Sequence, residues 1–193
     1  MTQIPNPDLR NQRARRAILD AALELAVRDG YAKLTVEAIA TAAGVGKQTI
    51  YRWWPGKAAV LLEAFNDRTG SARELPDTGD IAADITASTQ AVIRLLDTDL
   101  GTVWRALLAE AQTDPRFAEE LRSTFFEPRN QCWQERFEAA VTAGQLRADI
   151  PTRTMIEMLF GPVYYRLLIG ATPLDPDDTA RIDYFLNGLK ARS

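Results

Sequence analysis

Hydrophobic residues recur in the first third of the chain with the spacing of amphipathic helices. From about Arg10 to Gly30, one helical face collects Ile18, Ala22, Leu25 and Ala26. A second stripe follows Thr35, whose hydroxyl suits a helix N-cap, and consists of Val36, Ile39, Ala40 and Ala43. Gly30 and Gly44 favour helix ends because glycine tolerates the left-handed backbone found there. The pattern predicts two helices with a short connection between them.

A third, short helix is predicted over residues 47–53, after a turn at Val45 and Gly46. Pro55 stops this helix and can also occupy the first turn of the next one. The fourth helix is expected to continue toward Ala72, with an apolar face formed by Ala59, Leu62, Ala64 and Phe65.

The rest of the chain contains further amphipathic segments of helical period. They cover residues 80–97, 101–112, 114–126, 132–144, 151–170 and 176–190. Pro128 is expected to break or kink the chain near Phe125, and the Gly161-Pro162 pair interrupts an otherwise continuous pattern. No window shows the sustained alternation of a strand. The sequence therefore predicts an all-α fold of about nine helices.

Composition excludes several kinds of chemistry. The 193 residues include no histidine, which removes Ser-His and Cys-His catalysis and histidine-ligated metal sites. The single cysteine, Cys132, cannot form an intrachain disulfide or a cysteine-rich zinc site, and is either a small buried hydrophobe or a redox-sensitive thiol. We expect no cofactor, no metal ion and no enzymatic activity. The lack of a possible disulfide favours a reducing compartment, and the sequence shows neither an export signal nor a bilayer-spanning stretch. We therefore expect a cytoplasmic protein without membrane contact.

The net charge of −3 conceals an asymmetry along the chain. Residues 1–57 contain nine Lys or Arg and five Asp or Glu, a balance of +4. Residues 58–193 contain fourteen and twenty-one, a balance of −7. A basic head on an acidic body favours an anionic partner that touches only the head, and the alternative is chance drift in charge.

The most informative segment runs from Thr35 to Lys57, where two short helices are joined by a tight turn containing Gly44. This is the sequence form of a helix-turn-helix, whose second helix enters the major groove of DNA. Three rows of residues four apart lie side by side on that helix: Lys47 with Tyr51, Gln48 with Arg52, and Thr49 with Trp53. Their cationic, amide, hydroxyl and ring N–H groups suit phosphates and base edges.

Alternatives exist for the aromatic and terminal residues of this segment. Ile50 points to the opposite side of the third helix and Trp54 follows one turn later, so both are expected in the core. For Tyr51 and Trp53, core packing is the alternative to DNA contact. Lys57 opens the fourth helix, where free N–H groups and the helix dipole favour a phosphate, and its alternative is a solvated side chain.

The run AxxAGVxxxTIYRWWPxK at residues 40–57, preceded by a first helix that ends at Gly30, resembles the tetracycline-repressor-like (TetR) family of bacterial transcriptional regulators. The resemblance extends over residues 13–65, and FGPVYYRLL at 160–168 is similar to one C-terminal type in the family. It implies that Lys47, Gln48 and Arg52 approach bases. It implies phosphate contacts by Thr35, Thr49, Tyr51, Trp53 and Lys57.

The resemblance also implies an organisation for the whole chain. Family members are homodimers joined chiefly by their last two helices, here about 151–170 and 177–190, and their C-terminal domain usually encloses a small-molecule pocket. We therefore expect a disordered arm at 1–9, a helix-turn-helix DNA-binding domain at 10–57, and a ligand-binding and dimerisation domain at 58–193. Candidate pocket residues for a small apolar or aromatic effector, each with ordinary core packing as its alternative, are Trp104, Leu108, Phe125, Trp133, Phe160 and Tyr164.

Together these observations predict a ligand-released homodimeric repressor that binds a quasi-palindromic, double-stranded DNA operator. One alternative is a helical interaction module without DNA binding. A second is an all-helical enzyme, against which stands the lack of a nucleophile–base pair.

Overall fold

The computed structural model describes residues 7–70, 75–170 and 180–190, which form ten α-helices and no named strand. The helices are α1 Pro7–Asp29, α2 Val36–Ala43, α3 Lys47–Tyr51, α4 Lys57–Thr69, α5 Ile81–Leu96, α6 Asp99–Ala111, α7 Pro115–Leu121, α8 Glu127–Thr142, α9 Thr152–Ile169 and α10 Ala180–Leu189. The all-α prediction is confirmed. None of the described helices is both long and apolar enough to cross a bilayer.

The chain divides into two compact units. The first unit combines the described residues up to Gly70 with Thr102–Leu121, and the second contains those from 75 to Gly101 and from Arg122 onward. The first unit therefore extends past the boundary expected at Lys57. Its extension follows from packing, because the ring of Phe65 on α4 stacks on Trp104 of α6 with centroids 4.9 Å apart.

The N-terminal boundary also differs from the prediction. α1 begins at Pro7, so residues 7–9, expected in a disordered arm, are helical. Proline suits the first helical position because its fixed φ is already helical and it lacks the N–H that would have no partner there. Residues 1–6 of the predicted arm lie outside the described residues.

The core of the first unit is formed by the apolar faces that the sequence indicated. Ile18 and Ala22 of α1, Ile39 of α2 and Ile50 of α3 are fully buried. α1 packs against both α2 and α4. Three helices around one shared core hold the short α3 in place, because α3 by itself has too few residues to be stable.

The second unit has its own hydrophobic core, which includes Ile85, Phe137, Met155 and Leu189. Within it lies a buried ion pair between Asp84 of α5 and Arg136 of α8, with side chains 1% and 10% exposed. The break expected near Phe125 is confirmed, whereas the interruption expected at Gly161-Pro162 is wrong. A π-helical turn spans Arg122–Phe126 just before α8, and α9 runs continuously through Pro162.

Candidate DNA-binding site

The turn between α2 and α3 is set by backbone geometry. Thr35 caps α2, since its side-chain oxygen accepts a hydrogen bond of 3.1 Å from the N–H of Ala38. Gly44 ends α2 with φ 66° and ψ 32°, a left-handed conformation that favours glycine. The N–H of Val45 then donates to the carbonyl of Ala40 at 3.0 Å. The left-handed Gly44 and the bond from Val45 turn the chain sharply at the end of α2, so that α3 follows α2 as in a helix-turn-helix.

The inner side of α3 anchors it to the rest of the first unit. Ile50 is fully buried and Trp54, just after the helix, is 4% exposed, as the sequence predicted. The indole N–H of Trp54 donates to Glu63 of α4 at 2.7 Å. Glu63 also forms an ion pair with Arg15 of α1. The end of α3 is therefore fixed to two other helices.

The outer side of α3 faces solvent with the polar groups predicted for DNA contact. Lys47, Gln48 and Arg52 are exposed, and the Tyr51 side chain is 50% exposed. Thr49 and Trp53 are half-buried. The guanidinium of Arg52 lies 5.1 Å from the ring centroid of Trp53, a cation–π contact. The structure thus presents all six side chains of the three rows outside the core.

Lys47 has a partner that sequence reasoning missed. Its ammonium lies 2.9 Å from a carboxylate oxygen of Glu37 on α2. The hydrogen bond between the two groups raises the pKa of Lys47 and lowers the pKa of Glu37. The residues are ten positions apart, so no helical periodicity connects them, and only the helix-turn-helix geometry brings them together.

Lys57 lies at the first position of α4, as predicted, and is half-buried. Its ammonium donates to the backbone carbonyl of Tyr31 at 3.0 Å and lies 4.2 Å from the centroid of the Tyr31 ring. Thr35 is exposed at the N-terminus of α2. Both residues predicted to contact phosphates outside α3 therefore belong to the first unit together with α3.

The six candidate ligand-binding residues are divided between the two units. Trp104 and Leu108 lie in the first unit, where Trp104 is 1% exposed and stacked on Phe65. The other four are in the second unit, where the rings of Trp133 and Phe160 are 5.6 Å apart.

Sequence reasoning missed one cation near the remaining aromatic residues. The guanidinium of Arg129 lies 3.6 Å from the ring centroid of Phe125, and burial lowers the pKa of Arg129. Nearby, the rings of Phe126 and Tyr164 are 5.8 Å apart. Phe125 is buried, whereas Phe126, Arg129 and Tyr164 are half-buried.

The geometry defines a helix-turn-helix protein whose recognition helix is exposed and cationic. Comparison with known sequences identifies the family. The family described as "Bacterial regulatory proteins, tetR family" matches residues 18–64, and "Tetracyclin repressor-like, C-terminal domain" matches residues 75–183. The chain belongs to the TetR family, and it is a DNA-binding transcriptional regulator.

Individual relatives agree with this assignment. The uncharacterized HTH-type transcriptional regulator YdeS of Bacillus subtilis (strain 168) is 35% identical, over 94% of this chain and 90% of its own. The DNA-binding transcriptional repressor TetR of Mycobacteroides abscessus is 26% identical, over 82% of this chain and 84% of its own. The crystal structure of the TetR family transcription regulator SCO0332 is 35% identical with a TM-score of 0.77, over 91% of this chain and 97% of that one. These relatives are regulators, not enzymes.

Proposed function

We propose that this regulator is a homodimeric repressor that binds a quasi-palindromic operator through α3 and is released by a small apolar or aromatic effector. The observation that carries the proposal is the two-sided character of α3. Its inner residue Ile50 is fully buried, whereas its outer residues are polar and solvent-accessible. The opposite side of α3 is fixed to the core, so the helix keeps its shape when its cationic and amide groups enter a major groove.

Chemistry assigns separate roles to the exposed residues. Lys47, Gln48 and Arg52 carry the groups that form hydrogen bonds with base edges in the major groove. Phosphates would be held by Thr35, Thr49, Tyr51, Trp53 and Lys57, through hydroxyl, indole N–H and ammonium donors. The carboxylate of Glu37, 2.9 Å from the Lys47 ammonium, adds a negative charge that opposes the approach of Lys47 to DNA.

Exposed apolar side chains on the last two helices support the dimer. Leu168 and Tyr165 of α9 are 59% and 64% exposed, and Tyr184 of α10 is 78% exposed. Burying such groups between two chains is favourable because it removes apolar surface from water. The predicted interface at 151–170 and 177–190 includes these residues, and 177–179 lie outside the described residues. A dimer would present two copies of α3 about 34–36 Å apart, one for each half-site.

The dimer is tested by Leu168→Asp, with Val27→Asp as the control because Val27 is exposed on α1, outside the proposed interface. Analytical ultracentrifugation should show a monomer for the first variant and a dimer for the control. A stable Leu168→Asp dimer at micromolar concentration would contradict the proposed interface.

Aromatic residues of the second unit support an apolar or aromatic effector. Trp133 and Phe160 are in ring contact there. A protein of this fold can hold a ligand with a long apolar chain, since FadR from Bacillus subtilis, 19% identical with a TM-score of 0.73, was solved in complex with stearoyl-CoA, which joins an apolar acyl chain to a charged coenzyme A group. By linkage, an effector that weakens operator binding about 5- to 150-fold must itself be bound that much more weakly by the DNA complex. We propose that the protein binds DNA and effector in the cytoplasm.

Selection of genomic fragments by the purified protein tests DNA recognition directly. We expect enrichment of a quasi-palindromic sequence, and Gln48→Ala should reduce the preference at one position of each half-site by about 1–3 kcal/mol. Gln134→Ala, which removes an exposed amide on α8, should leave the preference unchanged. Failure to enrich any sequence at low salt would favour the helical interaction module without DNA binding.

A further inference from the structure

Tyr31 lies between the first helix and the helix-turn-helix, in a short 3-10 turn that spans Tyr31–Lys33. Two different parts of this residue contact the ammonium of Lys57. The carbonyl oxygen accepts a hydrogen bond of 3.0 Å from Nζ, and the ring centroid is 4.2 Å from the same atom. A hydrogen bond and a cation–π contact from one residue fix both the distance and the direction of the ammonium.

The other end of Tyr31 is directed into the first unit. Its hydroxyl is buried, and no group among the described residues makes a standard hydrogen bond with it. Burial raises the pKa of Tyr31, and the nearby carboxylates of Glu110 and Asp114 raise it further, so the phenol stays neutral. Packing of the ring, together with the interaction of the hydroxyl with the Glu110 carboxylate, therefore holds Tyr31 beneath Lys57.

A lysine at this position would otherwise be mobile. Its four-carbon side chain has many rotamers, and ordering them on DNA binding opposes the electrostatic gain. The ammonium carries three N–H donors, and the carbonyl of Tyr31 accepts one of them. The contact with Tyr31 can therefore order the side chain and still leave donors for a phosphate.

We propose that Tyr31 is a positioning residue that holds the ammonium of Lys57 at the start of α4, ready for a DNA phosphate. The inference rests on the proposed phosphate contact of Lys57 and adds the residue that prepares it. Gly56, which precedes Lys57, has no side chain that could orient the ammonium. The ring of Tyr31 therefore serves to orient it.

The test is a double-mutant cycle on the full chain, with a random-sequence duplex as the probe and affinity measured over a range of salt concentrations. Lys57→Ala should lower affinity and reduce the slope of log K against log salt by about one per head. Tyr31→Leu should lower affinity about 3- to 10-fold per head through loss of the ring face. Tyr31→Phe, which keeps the ring and the carbonyl, should stay within about twofold of the wild type.

The decisive comparison is Tyr31→Leu in the Lys57→Ala background, where we expect no further loss. If the two losses multiply, Tyr31 acts independently of Lys57 and the inference is overturned, while the phosphate contact stands. If Lys57→Ala leaves the salt slope unaltered, the proposed phosphate contact itself fails, and the positioning role fails with it.

A second measurement does not depend on the folding of Tyr31→Leu. A cation above an aromatic ring is shielded by the ring current, so the Lys57 Hε protons should resonate upfield in the NMR spectrum of the free protein. Tyr31→Phe should retain this shift. Unshifted Hε resonances in the wild type would overturn the inference.

Discussion

The buried ion pair of the second unit allows a quantitative test of how this unit is held together. The carboxylate of Asp84 accepts hydrogen bonds from the Thr78 hydroxyl at 2.7 Å and from Nε of Arg136 at 3.0 Å. The Asp84 side chain is 1% exposed and that of Arg136 is 10% exposed. Asp84→Ala would therefore leave a guanidinium almost without water and without its main anionic partner.

The expected cost is large because the guanidinium stays buried and retains only the exposed carboxylate of Asp77, 3.5 Å away, as an anionic partner. Removing one partner of a buried ion pair typically destabilises by about 3–5 kcal/mol. Replacing both partners removes the charge as well as the pair. We therefore expect the double variant Asp84→Ala/Arg136→Met to recover much of the stability that Asp84→Ala loses.

Urea unfolding at a fixed protein concentration measures these differences, since the stability of an oligomer depends on concentration. The control is Glu135→Ala, because the Gln131–Glu135 hydrogen bond on α8 is exposed and lies outside the proposed dimer interface, so its loss should leave the midpoint unchanged. A loss below about 1 kcal/mol for Asp84→Ala would refute the reasoning. So would additive losses in the double variant.

The same pair predicts a pH dependence. Burial alone would raise the pKa of Asp84, but hydrogen bonds from Thr78 and Arg136 outweigh it, and the pKa is lowered. Because the folded pKa lies below the unfolded one, this stability is present above the unfolded value and is lost as pH falls through the folded value. The difference in unfolding free energy between wild type and Asp84→Asn should therefore shrink on acidification below about pH 4.

Two further predictions concern α3 and α6. Glu37→Gln should tighten binding to a random-sequence duplex by about 2- to 5-fold in a low-salt anisotropy assay, because it frees Lys47 and removes a like charge near phosphates. Glu135→Gln is the control. Weaker binding by Glu37→Gln would contradict the DNA contact assigned to Lys47. Gly101→Ala should lower the unfolding free energy by about 2 kcal/mol or more, because a Cβ there would lie 1.8 Å from the Leu96 carbonyl oxygen. Gly46→Ala, where φ is −76° and a Cβ meets no atom within 4 Å, should show no such loss in urea unfolding, and equal losses would contradict the steric argument.

Short-range patterns in the sequence predicted most of the helix-turn-helix region. The cap at Thr35, the end of α2 at Gly44 and the burial of Ile50 and Trp54 depend on neighbours within one or two helical turns, and the structure confirms them. The N-terminal end of α1 was placed too late, because Pro7 was interpreted as part of an arm although proline is also favoured at a first helical position.

Contacts between distant positions could not be predicted in the same way. Glu63 follows Trp54 by nine residues, yet the two meet only because Pro55 and Gly56 turn the chain between α3 and α4. The sequence also could not show that the candidate pocket residues are divided between the two units. Aromatic residues are favoured in any core, so their spacing could not show that Trp104 packs on α4 within the first unit.

The brevity of α3 has a consequence for how such regulators diversify. The helix has five residues, far fewer than the roughly 12–15 that an isolated helix needs to persist in water, so its shape is imposed by Ile50 and Trp54 on the inner side. The residues that would read DNA contribute little to that shape. Natural variation or laboratory selection could exchange Gln48 or Arg52 freely and redirect the protein to new promoters, while folding continues to depend on a scaffold that such changes leave intact.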